Sequence, residues 1–123
     1  MRLMYLTHKP GLAYMLRDVA MRRAIQIDTC TSAEQALEAL SAHRHAYEML
    51  LVALPLLGAD PYDVVCQLRC NGPIKRCVGL FDATCFVPES GRAAQCIMHH
   101  YIADNLPPAT IMGMLHTAYA RCL

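Results

Sequence analysis

With 123 residues the chain can bury one substantial core and no second one. Eleven basic and ten acidic side chains leave a formal net charge of +1, which excludes the basic footprint of a nucleic-acid binder and bulk attraction to an anionic membrane. Hydrophobic residues make up 55%, with no Trp and 2 Phe, so disorder is excluded and the core must be aliphatic, with Met filling its gaps.

In chain order, Leu3 to Leu6 is a short continuous apolar run, the pattern of a strand covered on both faces. Leu12, Met15, Leu16 and Val19 then follow helical spacing. Ile25 and Ile27 alternate with Gln26 and Asp28, which predicts an edge strand with one solvated face. Thr31-Ser32-Ala33-Glu34 reads as a capping box ahead of a second stripe, Ala33, Ala36, Leu37 and Leu40. Met49 to Leu54 is a third strand, and Asp60 before Pro61 offers an N-cap oxygen and an N1 residue for a third helix. Cys77 to Phe81 and Tyr101 to Ala103 complete five strands, with a weaker fourth helix around Ser90 to Ile97 between them. Pro107 and Pro108 open the last helix, whose inward stripe reads Ile111, Met114, Leu115 and Ala118.

Strict alternation of strand and helix predicts one α/β domain over residues 1–123, a three-layer doubly wound five-stranded parallel sheet with five helices. Five such units in this length fit the flavodoxin-like order 2-1-3-4-5, with any site at the carboxyl ends of the strands. No apolar run approaches the ~20 residues of a membrane span and no signal-peptide pattern opens the chain, so a cytoplasmic location is expected. The cysteine count, seven, is odd, and reduced, mostly buried thiols are the expectation.

The segment from Leu50 to Val65, LLVALPLLGADPYDVV, resembles the third strand, loop and third helix of response-regulator receiver domains. That family usually reads Leu-Leu-Asp-Leu-x-Leu-Pro and then Asp-Gly-Phe-Glu-Val-Leu. Met1 to Leu6 is similar to its first strand and Tyr101 to Asp104 to its fifth, so the resemblance spans essentially the whole chain. Carried over position by position, it puts Ala53 where the phospho-accepting Asp stands and Thr7 and His8 where the paired metal-binding acids stand. A shift of one residue would offer His8 and Lys9 instead. Asp82 falls on the switch Ser/Thr position, Asp104 on the phosphoryl-contacting Lys position, and of the family's residues only the aromatic, Tyr101, is kept.

Phosphoryl transfer to a receiver needs an oxygen nucleophile, a carboxylate-held Mg²⁺, and cationic or hydroxyl groups on the transferred oxygens. Ala53 supplies no nucleophile, and two aspartates where an anion must bind would each oppose it by about 4 kcal/mol at ~4 Å in a partly buried site. The resemblance therefore implies a phosphorylation-independent regulatory and dimerisation module of a bacterial signalling protein, the N-terminal domain of a DNA-binding response regulator, with no enzymatic activity, metal or cofactor. The alternative is a stand-alone adaptor that binds another signalling protein.

By the same resemblance the face built from the fourth helix, fifth strand and last helix meets a second copy or another partner. His99, Tyr101, Met112, His116 and Tyr119 are its candidate contacts, apolar and aromatic enough for a constitutive interface. No nucleic acid is expected to bind this domain: Lys9, Arg17, Arg22 and Arg23, and separately His43, Arg44 and His45, read as solvated faces. Cys96, His99 and His100 have a zinc-ligand spacing without a second pair to complete it, and Cys66 and Cys70, one helical turn apart, are expected to be adjacent buried thiols.

Overall fold

The structure, a computed structural model, describes residues 2–42, 47–54, 56, 60–70, 74, 76–82, 84 and 99–120. Its elements run β1 (Arg2–Leu6), α1 (Pro10–Met21), β2 (Gln26–Cys30), α2 (Ala33–Ala42), β3 (Met49–Leu54), α3 (Pro61–Cys70), β4 (Cys77–Phe81), β5 (His100–Ala103) and α4 (Pro108–Ala120). All strands are parallel, in one sheet of order β2-β1-β3-β4-β5, as the alternating pattern predicts. The described residues form four helices, and the expected additional helix around residues 90–97 lies outside them.

The pleat divides the buried residues between two layers. Leu3, Tyr5, Met49, Leu51, Val78 and Leu80 turn to one face, where α1 and α4 cover them with Leu16, Ala20, Ile111 and Leu115. Met4, Leu6, Leu50, Val52, Leu54 and Cys77 turn to the other, against Ala36 and Leu40 of α2 and Val64, Val65 and Leu68 of α3. The central strand β3 is covered on both sides, which explains its unbroken apolar run. The edge strand β2 keeps Gln26 exposed and Asp28 half-buried beside buried Ile27, in agreement with its alternation.

The helix starts follow from their caps. Asp60 Oδ1 accepts the Tyr62 N–H at 2.9 Å, and Pro108 opens α4 with the Ile111 N–H on Pro107 O at 3.0 Å. At α2 the expected box is displaced by one residue. Ser32 Oγ accepts the Gln35 N–H at 3.2 Å, and Gln35 Oε1 reaches back to the Thr31 N–H and hydroxyl at 2.9 Å each, so Ser32 and Gln35 do the work assigned to Thr31 and Glu34.

Two helical stripes are also rotated from their expected phase. In α1 the buried positions are Ala13, Leu16 and Ala20, while Met15 is exposed. In α4, Met112 is fully buried and Met114 is 41% exposed, the reverse of the reading above. Ile111, Leu115 and Ala118 are common to both readings. The cluster where α1 packs on α4 takes the side chain on the Met112 side of that stripe, which removes Met112 from the candidate interface.

At the amino end of the sheet, Asp28 ties three segments together. Its Oδ2 accepts from Arg2 Nε at 2.8 Å and from the Tyr47 hydroxyl at 2.7 Å, and its Oδ1 accepts from Gln26 at 3.2 Å. The Arg2 guanidinium lies 5.0 Å from the centre of the Tyr47 ring. No described helix is long and apolar enough to cross a membrane.

Candidate functional site

The carboxyl ends of β1, β3, β4 and β5 open into a cleft of about 290 Å³ lined by Tyr5, Thr7, His8, Lys9, Gly11, Leu12, Ala53, Leu54, Asp82 and Asp104. Parallel strands place their carboxyl ends together, so residues distant in sequence converge here. Thr7, His8, Ala53, Asp82 and Asp104, expected at one site, do meet around this cleft, and Tyr101 does not line it.

Backbone hydrogen bonds carry the chain into the site. The Thr7 N–H donates to Cys30 O at 3.0 Å, the Asp82 N–H to Leu54 O at 2.9 Å and the Asp104 N–H to Phe81 O at 2.8 Å, each extending a strand ladder by one residue. Thr7 is 1% exposed, and its hydroxyl is committed locally, accepting the Lys9 N–H at 3.1 Å and donating to Lys9 O at 3.2 Å. Asp82 Oδ1 accepts from both the N–H and the hydroxyl of Thr84, at 2.9 and 2.5 Å. Ala53, half-buried beside these groups, presents a methyl to the cleft.

The charge in the cleft is mostly negative. Lys9 Nζ lies 3.9 Å from Asp82 Oδ2, but its side chain is 73% exposed, so this pair contributes little. Burial and then the neighbouring Asp82 charge push the Asp104 carboxyl above the usual carboxylate range, and Lys9 only partly offsets them. Tyr5, which sequence reasoning placed only in the core, has its hydroxyl at this cleft. Burial chiefly, opposed by a hydrogen bond with Thr7 and reinforced by Asp104, pushes its pKa up to about 12. A tyrosine inside an apolar strand run was the available signal, since a buried hydroxyl needs a polar neighbour. His8 Nδ1 is buried without a hydrogen-bond partner among the described residues.

Such a cleft has no oxygen nucleophile at residue 53, and its carboxylates oppose a bound anion. Among the described residues, no three His, Cys, Asp or Glu side chains are grouped as metal ligands.

The candidate interface residues have more varied fates. His99 Nδ1 accepts the Cys77 N–H at 3.1 Å, so the ring caps the start of β4, and burial followed by the Arg69 and Arg76 charges lowers its pKa. Tyr101, half-buried, meets the hydroxyl of Tyr62 at 2.9 Å. Tyr119 is half-buried against the core, and its hydroxyl is hydrogen-bonded to Glu48, which raises its pKa. Of the five, only His116 stands exposed. A groove of about 520 Å³ nevertheless runs between β5 and α4, lined by His100, Tyr101, Ile102, Thr110, Gly113, Met114, Thr117 and Ala118.

Cys30 and Cys77 are buried, whereas Cys66 and Cys70 are exposed, contrary to expectation, because α3 turns Val64, Val65 and Leu68 inward instead. Cys96 and residues 43–45 lie outside the described residues, so the Cys96, His99, His100 grouping and the second basic cluster do as well. Lys9, Arg17, Arg22 and Arg23 are exposed.

No protein-family model and no curated protein sequence matches the chain. Solved structures do match. A response regulator receiver domain (CheY-like) from Methylobacillus flagellatus superposes with a TM-score of 0.76 at 19% identity, covering 96% of this chain and 98% of that one. A response regulator receiver protein from Burkholderia phymatum gives 0.78 at 16% identity over 97% and 94% of the two chains. A putative response regulator from Chloroflexus aurantiacus gives 0.76 at 18% identity over 97% of each. The chain is therefore similar in fold to CheY-like receiver domains over nearly its full length.

Proposed function

We propose that this chain is a regulatory association module of a bacterial signalling protein, built on the receiver fold and working without phosphoryl transfer. One observation carries the reading: the end of β3 presents the Ala53 methyl to a cleft whose polar groups include Asp82 and Asp104. A receiver that used phosphate would need an acceptor oxygen there, and cationic or hydroxyl groups around it. In this chain the hydroxyl of buried Thr7, at one of the two positions expected for metal-binding acids, is engaged in the turn at Lys9.

The module then acts through protein contact rather than catalysis. The groove between β5 and α4, with exposed Met114 and His116 on its helix, is the surface offered to an output partner. In this reading the chain serves as the N-terminal domain of a transcription regulator, and DNA is met elsewhere in that protein.

Incubation with acetyl phosphate and Mg²⁺, followed by intact-mass measurement, tests the reading. An unchanged mass is expected. A phosphoryl adduct on any aspartate would overturn it.

A further inference from the structure

Large exposed apolar side chains are few among the described residues, and three of the four belong to α1: Tyr14, Met15 and Met21, with Met114 the fourth. Tyr14 and Met21 are 64% and 77% exposed and, seven residues apart, share one face of the helix. Arg17 and Asp18 stand on that face between them. Together they border a groove of about 630 Å³ whose far wall is the edge strand β2, with Ile25 and Ile27 at its base.

We propose that this groove between α1 and β2 is the self-association surface of the chain, closed about a two-fold axis by the same groove of a second copy. The charges identify the occupant. Arg17 and Asp18 are neighbours of opposite sign on the helix wall, whereas the polar residues of the strand wall, Gln26 and Asp28, are bonded to each other and Asp28 also to Arg2. A two-fold axis passing between Arg17 and Asp18 sets Arg17 of each copy against Asp18 of the other. A partner of uniform charge would satisfy one and repel the other. The net charge of +1 adds almost no bulk repulsion between copies.

Tyr, Met and Arg are the side chains enriched at the centres of such contacts. The edge strand itself does not invite a strand-to-strand pairing. Arg17 Nε donates to Ile27 O at 3.4 Å. In a parallel pair alternate residues face the neighbour, and Cys30 O is turned to β1, so Ile27 O is on the open side. Capping it blunts the edge and leaves the side-chain patch as the contact, with the other guanidinium N–H groups free to serve Asp18 of the second copy. This surface lies apart from the β5–α4 groove, so a pair formed this way keeps both copies of that groove open.

The test is molar mass by light scattering from micromolar to millimolar concentration in reductant, with fold checked by circular dichroism. The wild-type mass should rise toward twice the chain mass. Arg17→Asp and Asp18→Arg should each weaken the dimer at least ~10-fold, and an equimolar mixture of the two should restore it, because the heterodimer recovers both opposite-sign pairs. Met114→Asp should leave the dimer intact. A wild-type monomer at every concentration, single variants as dimeric as the wild type, a mixture that fails to recover, or a dimer lost on Met114→Asp would each overturn the proposal. Phosphorylation by acetyl phosphate would overturn the preceding reading without touching this one.

Discussion

The hydroxyls of Tyr62 and Tyr101 meet at 2.9 Å, joining the first turn of α3 to the edge strand β5. Both rings pack on the same layer of the core with Leu56 and Phe81. Tyr62 thereby holds Tyr101 in place. Removing either hydroxyl deletes this hydrogen bond, so Tyr62→Phe and Tyr101→Phe should each cost about 1 kcal/mol. The double variant should cost less than the sum of the two single ones, because the shared bond is lost only once. Urea denaturation of all four proteins measures this, and simple additivity would show that the contact contributes nothing.

Asp28 makes stability depend on pH in the acid range. Burial works against its ionisation, but the hydrogen bonds from Tyr47 and Arg2 and the Arg2 charge outweigh it, and its pKa is lowered. The folded value therefore lies below the unfolded one. The stabilisation is complete above about pH 4 and drains away as the pH falls through the folded value. Asp28→Asn should cost about 1–2 kcal/mol at pH 7, with the difference from wild type closing below about pH 4.

Asp104 works in the opposite direction. Its pKa is raised, chiefly by burial and then by Asp82, so the fold favours the protonated form. Stability tied to that proton is present below the unfolded value near ~4 and lost as the pH rises through the folded one. Asp104→Asn should accordingly raise the melting temperature at pH 7 and change it little at pH 3. Thermal melts at the two pH values check the sign.

Strand order, edge strand and cleft were legible because each rests on residue pattern alone: continuous apolar runs for covered strands, alternation for β2, and parallel strands whose carboxyl ends must converge. The rotational phase of α1 and α4 was not. Met112 and Met114 flank the same stripe and differ by nothing local, and only the packing of α1 on α4 decides which is buried. Cys66 and Cys70 were misjudged for the same reason, since α3 faces the sheet with Val64, Val65 and Leu68. Tyr5 in the cleft and Tyr62 beside Tyr101 were missed because a tyrosine's apolar ring fits a core pattern, while the position of its hydroxyl depends on tertiary neighbours.

The methionines test that phase directly. Met112→Ala should cost about 2–5 kcal/mol, as expected for truncating a fully buried side chain, whereas Met114→Ala should stay within about 0.5 kcal/mol of wild type. Equal costs would place the helix in the other rotation.

Binding of beryllium fluoride with Mg²⁺, a mimic of the phosphoryl group, tests most directly the claim that the fold has given up its phosphate chemistry. A ligand that binds only the folded state must raise the melting temperature as its concentration rises. With a methyl at Ala53 and the carboxylates of Asp82 and Asp104 in the cleft, no concentration-dependent rise is expected, and the melt should overlay that with Mg²⁺ alone. A saturable increase in melting temperature would contradict the account.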